Sequence, residues 1–172
     1  WLLDGERGRV FAIDPAGGSV VMEIYRSGES YGGAAARAPL AITWDPTGNR
    51  LLLLDAGRTL FAIASPRAPG ESADELDAPR VLTLRDAREI RSVAGIASYT
   101  GNLYLLDPQG GEVWRYLPAG DGYDSERSPR LGDLEIEDAR ALIVDGELFL
   151  LDGAGLRRFA RSGPAAPLLR GI

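Results

Sequence analysis

The sequence predicts an all-β fold, a β-propeller made of four-stranded antiparallel blades. Three observations predict it. A hairpin pattern with Leu-Leu-Asp at its centre occurs four times: "WLLDGERGRVFAI" (1–13), "LLLLDAGRTLFAI" (51–63), "LYLLDPQGGEVWRY" (103–116) and "LFLLDGAGLRRFA" (148–160). The acids stand at positions 4, 55, 107 and 152, so the steps of 51, 52 and 45 residues are nearly constant. No segment keeps apolar residues at i, i+3, i+4 and i+7 for three turns, which disfavours a helical solenoid. A four-stranded unit repeating about every 45–50 residues is the signature of propeller blades.

Each unit has four strands, a to d. Strand a comes from "LAITWDPTGN" (40–49), "VAGIASYTGN" (93–102) and "ARALIVDGE" (139–147), each a strand running into a turn. Thr47-Gly48-Asn49 and Thr100-Gly101-Asn102 match as turns, and Asp145-Gly146 is a two-residue hairpin signal. Strands b and c are the repeated hairpin itself. Strand d is expected in "SVVMEIYRS" (19–27), "PRVLTLRD" (79–86), "PRLGDLEI" (129–136) and "PLLRGI" (167–172), the third being the weakest fit. The whole of 1–172 then reads as one propeller domain or fragment. Its repeat units fall at about 1–36, 37–88, 89–137 and 138–172. The first unit lacks strand a. Beginning at Trp1 within a strand-like segment, the chain reads as a piece of a longer protein.

Composition narrows the chemistry. There is no Cys and no His, which removes thiol nucleophiles, disulfides, His-containing triads and His or Cys zinc sites. A bound metal would have to be a hard cation held by oxygen, and the reading assigns no metal and no cofactor. All 19 basic residues are Arg, and the net charge is −6, which argues against nucleic acid or an anionic membrane surface as partner. No apolar run approaches the ~18 residues of a spanning helix, so direct membrane insertion is not expected.

Two sets of repeated residues could carry function. The acids Asp4, Asp55, Asp107 and Asp152 read as turn residues. A carboxylate ending strand b can accept backbone N–H groups across the b–c turn. The competing reading is a ring of carboxylates for a cation, but a turn-former recurring once per blade needs no ligand to explain it. The residues Arg37, Arg91 and Arg140 each precede a strand a. In a propeller, d–a connections and b–c turns emerge on one face, so Arg and Asp are expected to meet there. They can tie neighbouring blades as ion pairs, or offer a ligand-binding mouth in which guanidinium grips carboxylate or phosphate.

Other features have plainer readings. "GDGYDSE" (120–126) is acidic and Gly-rich but lacks the order of a calcium loop, and reads as a solvated loop. The stretches 65–80 and 118–130 read as long c–d loops. Trp44, Trp114, Phe11, Phe61, Tyr116 and Phe159 are expected to pack between blades.

"LYLLDPQGGEVWRY" and "RLLLLDAGRTLFAI" resemble blades of the NHL, SMP-30 and YVTN-type propellers, in which strand b often ends in an aliphatic pair and Asp. The resemblance covers most of the chain. It implies a ring of six or seven blades, of which about four are present, and an origin in a larger bacterial protein. Lactonases of the SMP-30 type hold a divalent metal in a carboxylate and amide cluster. The amides available here, Asn49 and Asn102, fall in a–b turns on the opposite face, so that site does not carry over.

The function expected is therefore a non-enzymatic binding or scaffold module. It would be the sensor or partner-docking part of a larger bacterial signalling or envelope protein, extracytoplasmic or cytoplasmic. Its partner would be a protein or a small ligand. A metal-dependent hydrolase of gluconolactonase type is the alternative. Because an unpaired strand edge invites association, a homo-oligomer completed through the first blade is also expected.

Overall fold

A computed structural model of the chain describes residues 1–13, 20–64, 78–126, 136–160 and 163–170. The fold is all-β. Among the described residues the only helical turn is a single 3-10 turn at Ala87–Glu89, and no helix is long and apolar enough to cross a membrane. The chain divides into two compact units, Trp1–Thr83 and Leu84–Ile172.

In the first unit, β1 (Leu2–Asp4), β2 (Arg9–Ile13) and β3 (Val20–Arg26) form an antiparallel sheet in that order. A small hairpin follows, β4 (Ser30–Tyr31) with β5 (Ala34–Ala35). Then β6 (Pro39–Asp45), β7 (Arg50–Asp55), β8 (Leu60–Ala64) and β9 (Arg80–Leu84) pair as an antiparallel meander. The Leu-Leu-Leu-Leu run of β7 is buried on both faces, which is why it does not alternate. Its Leu51 and Leu53, with Phe61 and Ile63 of β8, pack against Val10, Ile24 and Tyr25. Each fully buried aliphatic or aromatic side chain contributes about 1.5–3 kcal/mol. Tyr31, carried by the small hairpin, stacks on Tyr25 at 5.4 Å and meets Phe61 edge-on at 6.2 Å.

In the second unit, β10 (Gly95–Tyr99), β11 (Asn102–Asp107), β12 (Glu112–Ala119) and β13 (Gly122–Glu126) repeat the meander. So do β14 (Ala141–Asp145), β15 (Glu147–Asp152), β16 (Gly155–Ala160) and β17 (Gly163–Arg170). Strict alternation sets the faces. Leu106 of β11 turns toward a core shared with Leu142, Leu148, Leu150 and Phe159 of the following meander.

Two local expectations change. The segment read as a long acidic loop holds a strand, β13 at 122–126, paired with β12; Gly120 adopts φ 55° and makes the turn tight. Residues 129–135 of the strand expected at 129–136 lie outside the described residues, as does 65–77 of the other long loop. Trp44 is more than a third exposed on β6, while Phe61 and Phe159 are buried as core.

Candidate functional site

The repeated acids sit where β1, β7, β11 and β15 end, and the structure shows what their oxygens do. Asp107 is fully buried. Its Oδ2 accepts the Arg91 amide at 2.8 Å. Its Oδ1 accepts the Ser92 amide at 2.8 Å, the Ser92 hydroxyl at 2.9 Å and the Gly110 amide at 2.9 Å. Asp55, also fully buried, accepts the Arg37 amide on Oδ2 at 2.8 Å and the Thr59 amide on Oδ1 at 2.8 Å. The Tyr25 hydroxyl lies 3.4 Å from Asp55 Oδ2 and donates to the Arg37 carbonyl at 2.7 Å.

Each of these two carboxylates therefore clamps two pieces of chain: its own following turn and the segment that leads into the preceding strand. The donors would otherwise be unpaired main-chain groups at the sheet end, where a buried orphan costs about 1–3 kcal/mol. Burial alone would raise the Asp107 carboxyl. The hydrogen bonds from Arg91, Ser92 and Gly110 outweigh it and hold the group below its ordinary value.

The outer two acids differ. Asp4 accepts the Arg7 amide at 3.0 Å and pairs loosely with the Arg7 guanidinium at 3.5 Å. Asp152 accepts the Ala154 amide at 2.8 Å and ion-pairs with Arg157 of β16. The Arg157 guanidinium also lies over the Phe159 ring, 5.5 Å from its centre. Arg140 gives its amide to the Leu151 carbonyl at 2.8 Å instead of to Asp152.

Arg37, Arg91 and Arg140 are thus brought to the strand ends that carry the acids. What Arg37 and Arg91 give to Asp55 and Asp107 is the main-chain N–H, and the side chains of all three Arg residues are on exposed positions. In the second unit, Arg91 leads into β10 and Arg140 into β14, two strands packed as neighbours. Two participants escaped the sequence reading. Ser92 links Asp107 to the Gln109 amide, which its hydroxyl accepts at 3.0 Å. Tyr25 reaches the clamp from β3. A Ser beside a repeated Arg carries only a weak signal, and the Tyr25 contact is made 30 residues away in sequence.

Among the described residues, no group of three acidic side chains is placed to hold a metal ion. A scan against protein-family models finds no match, and a search of curated proteins finds none either.

Proposed function

We propose that this chain is a run of β-propeller blades of the NHL/SMP-30/YVTN kind. On this reading it is a non-enzymatic binding module, the sensor or partner-docking part of a larger bacterial signalling or envelope protein. One observation carries the reading. The buried repeated acids spend their oxygens on main-chain donors, while the arginines that supply those donors keep exposed side chains. Asp55 and Asp107 then serve the scaffold, and the guanidinium groups are the chemistry presented outward. Planar guanidinium suits a carboxylate or phosphate bound bidentately. The partner is accordingly an anionic group on a protein or small ligand.

The test is a titration of the folded chain with an acidic peptide and, separately, inorganic phosphate, followed by NMR. Shifts confined to the loops around Arg91 and Arg140, and abolished in Arg91→Ala/Arg140→Ala, are the expected result. No saturable shift with either probe overturns the anionic partner. Lactone turnover that depends on added divalent cation replaces the whole reading with the metal-dependent hydrolase.

A further inference from the structure

An aspartate can attack its own main chain when its carboxyl reaches the nitrogen of the residue that follows. Glycine at that next position opens the way, because it has no Cβ to block the approach and its φ and ψ are least restricted. The chain has four such steps: Asp4-Gly5, Asp121-Gly122, Asp145-Gly146 and Asp152-Gly153. They stand in different surroundings.

Three of them are held. Asp4 accepts the Arg7 amide and Asp152 accepts the Ala154 amide, so each carboxylate is aimed past the nitrogen next to it. Asp152 is tied further by its ion pair with Arg157. Gly122 already belongs to β13, opposite Ala119 in the β12–β13 ladder. Asp145-Gly146 is different. Asp145 is exposed and is the last residue of β14, while Gly146 stands at the tip of the turn, exposed and outside both strands, at φ 70°. Among the described residues the Asp145 carboxylate has no hydrogen bond and no ion pair.

The same place in an earlier repeat is closed to this chemistry. Asp45 ends β6 as Asp145 ends β14. It is buried, and its Oδ2 accepts the Arg50 Nε–H at 2.9 Å. The next residue is Pro46, which has no N–H to give up.

We propose that Asp145-Gly146 is a self-modification site, at which the chain converts to a β-linked aspartate. The Gly146 nitrogen attacks Asp145 Cγ. An N–Cγ bond forms, a Cγ–O bond breaks, and the hydroxyl leaves with the amide proton as water. Water then opens the five-membered succinimide at either carbonyl. Opening at Cγ restores the ordinary linkage; opening at the α-carbonyl leaves the main chain running through Cβ and Cγ, with the carboxylate on Cα. Water is the only co-reactant, so the atoms balance. The end of a hairpin opens locally at low cost, which gives the nitrogen its approach. The product carries one extra main-chain atom in a turn that has a single residue between the paired Asp145 and Glu147. The Tyr99 hydroxyl lies beside this turn, 3.5 Å from where a Cβ on residue 146 would stand, so the added length has no room on that side and the Asp145–Glu147 pair must open. Asp145 takes no part in the anion-binding reading.

Ageing the folded chain at mildly acidic pH, then digesting it and separating peptide isomers of identical mass, tests the proposal. Wild type, Asp145→Glu and wild type in denaturant are compared. In the folded wild type, β-linked aspartate is expected at 145 about tenfold faster than at 4, 121 or 152, the factor that one hydrogen bond to a charged group gives. The same peptide should pass through a form lighter by one water. Asp145→Glu should show neither product at 145, because its longer side chain would have to close a six-membered ring. In denaturant the four steps should converge in rate. A folded chain in which 4, 121 or 152 leads, one with no β-linked aspartate at 145 once the denatured chain shows it at every step, or a denatured chain with the same lead at 145 each overturn the proposal. The isomer ratio is read without phosphate or peptide, so loss of the anion-binding reading leaves this result standing, and the reverse.

Discussion

The amide of Arg91 donates to the carboxylate of Asp107 at 2.8 Å, and the amide of Arg37 donates to Asp55 at the same distance. The two pairs span 16 and 18 residues, so each staples a strand end to the segment entering the strand before it. The staple consists of main chain on one side and side chain on the other.

Removing the acid should be costly. Asp107→Asn replaces one acceptor oxygen by an NH2 group facing amide donors. A loss of about 1–3 kcal/mol is expected from the unmet donors, and Asp107→Ala should lose at least as much. Chemical denaturation with unchanged m-value checks this. A midpoint equal to wild type would show that the Asp107 contacts contribute nothing net.

Removing the arginine side chain should be mild. Arg37→Ala keeps the N–H that Asp55 accepts, and the side chain is on an exposed position. A change within about 0.5 kcal/mol is expected, against 2 kcal/mol or more, roughly, for Asp55→Ala. Thermal melts of the two variants side by side provide the measurement.

Stability should fall in acid through Asp107. Its folded-state carboxyl lies below the ordinary value, so the unfolded chain binds the proton first as pH drops. The stabilisation is fully present above the ordinary aspartate range of about 4 and is lost as pH falls through the lower, folded value. The difference in stability between wild type and Asp107→Asn should therefore shrink below about pH 4. A difference that stays constant to the acid limit would remove Asp107 as the titrating group.

Gly110 should resist substitution. A Cβ built there runs into the Asp107 carboxylate oxygen and carbon, the very oxygens that hold Arg91 and Ser92. Gly110→Ala is expected to cost about 1–3 kcal/mol, as overpacking does. Gly111→Ala meets nothing within 4 Å, but it sits at φ 69°, so its cost should come from backbone strain, about 1 kcal/mol.

The Tyr25 hydroxyl should matter through one bond. Tyr25→Phe keeps the stacking on Tyr31 and the edge-on contact with Phe61 but removes the hydrogen bond to the Arg37 carbonyl. A loss of about 1 kcal/mol is expected, read as a lowered melting temperature with unchanged near-UV aromatic signal.

Strands with dense aliphatic sequence were legible because the pleat forces an alternation, or a full run where both faces are covered. β7, β11 and β15 are read directly from their Leu positions. β13 was not, because among Gly122, Tyr123 and Asp124 only Tyr123 turns into the core, and one apolar residue carries no period. The β4–β5 hairpin escaped for the same reason; its Ser, Gly and Ala have almost no pattern to show. That an acid ends each strand b was visible in the repeat. Which amides reach Asp55 and Asp107 was not, because that depends on how separate segments pack. Arg140 illustrates the limit: it occupies the same repeat position as Arg37 and Arg91, yet its amide goes to a carbonyl.

The main-chain character of the Arg37 and Arg91 contacts has an evolutionary consequence. Every residue except proline offers the same N–H, so the clamp itself does not depend on which side chain stands at positions 37 and 91. Those positions can drift from guanidinium to acid, amide or aromatic ring while Asp55 and Asp107 go on holding the strand ends. The side chain at these positions is thereby uncoupled from the clamp, with proline the one replacement the main-chain contact would refuse.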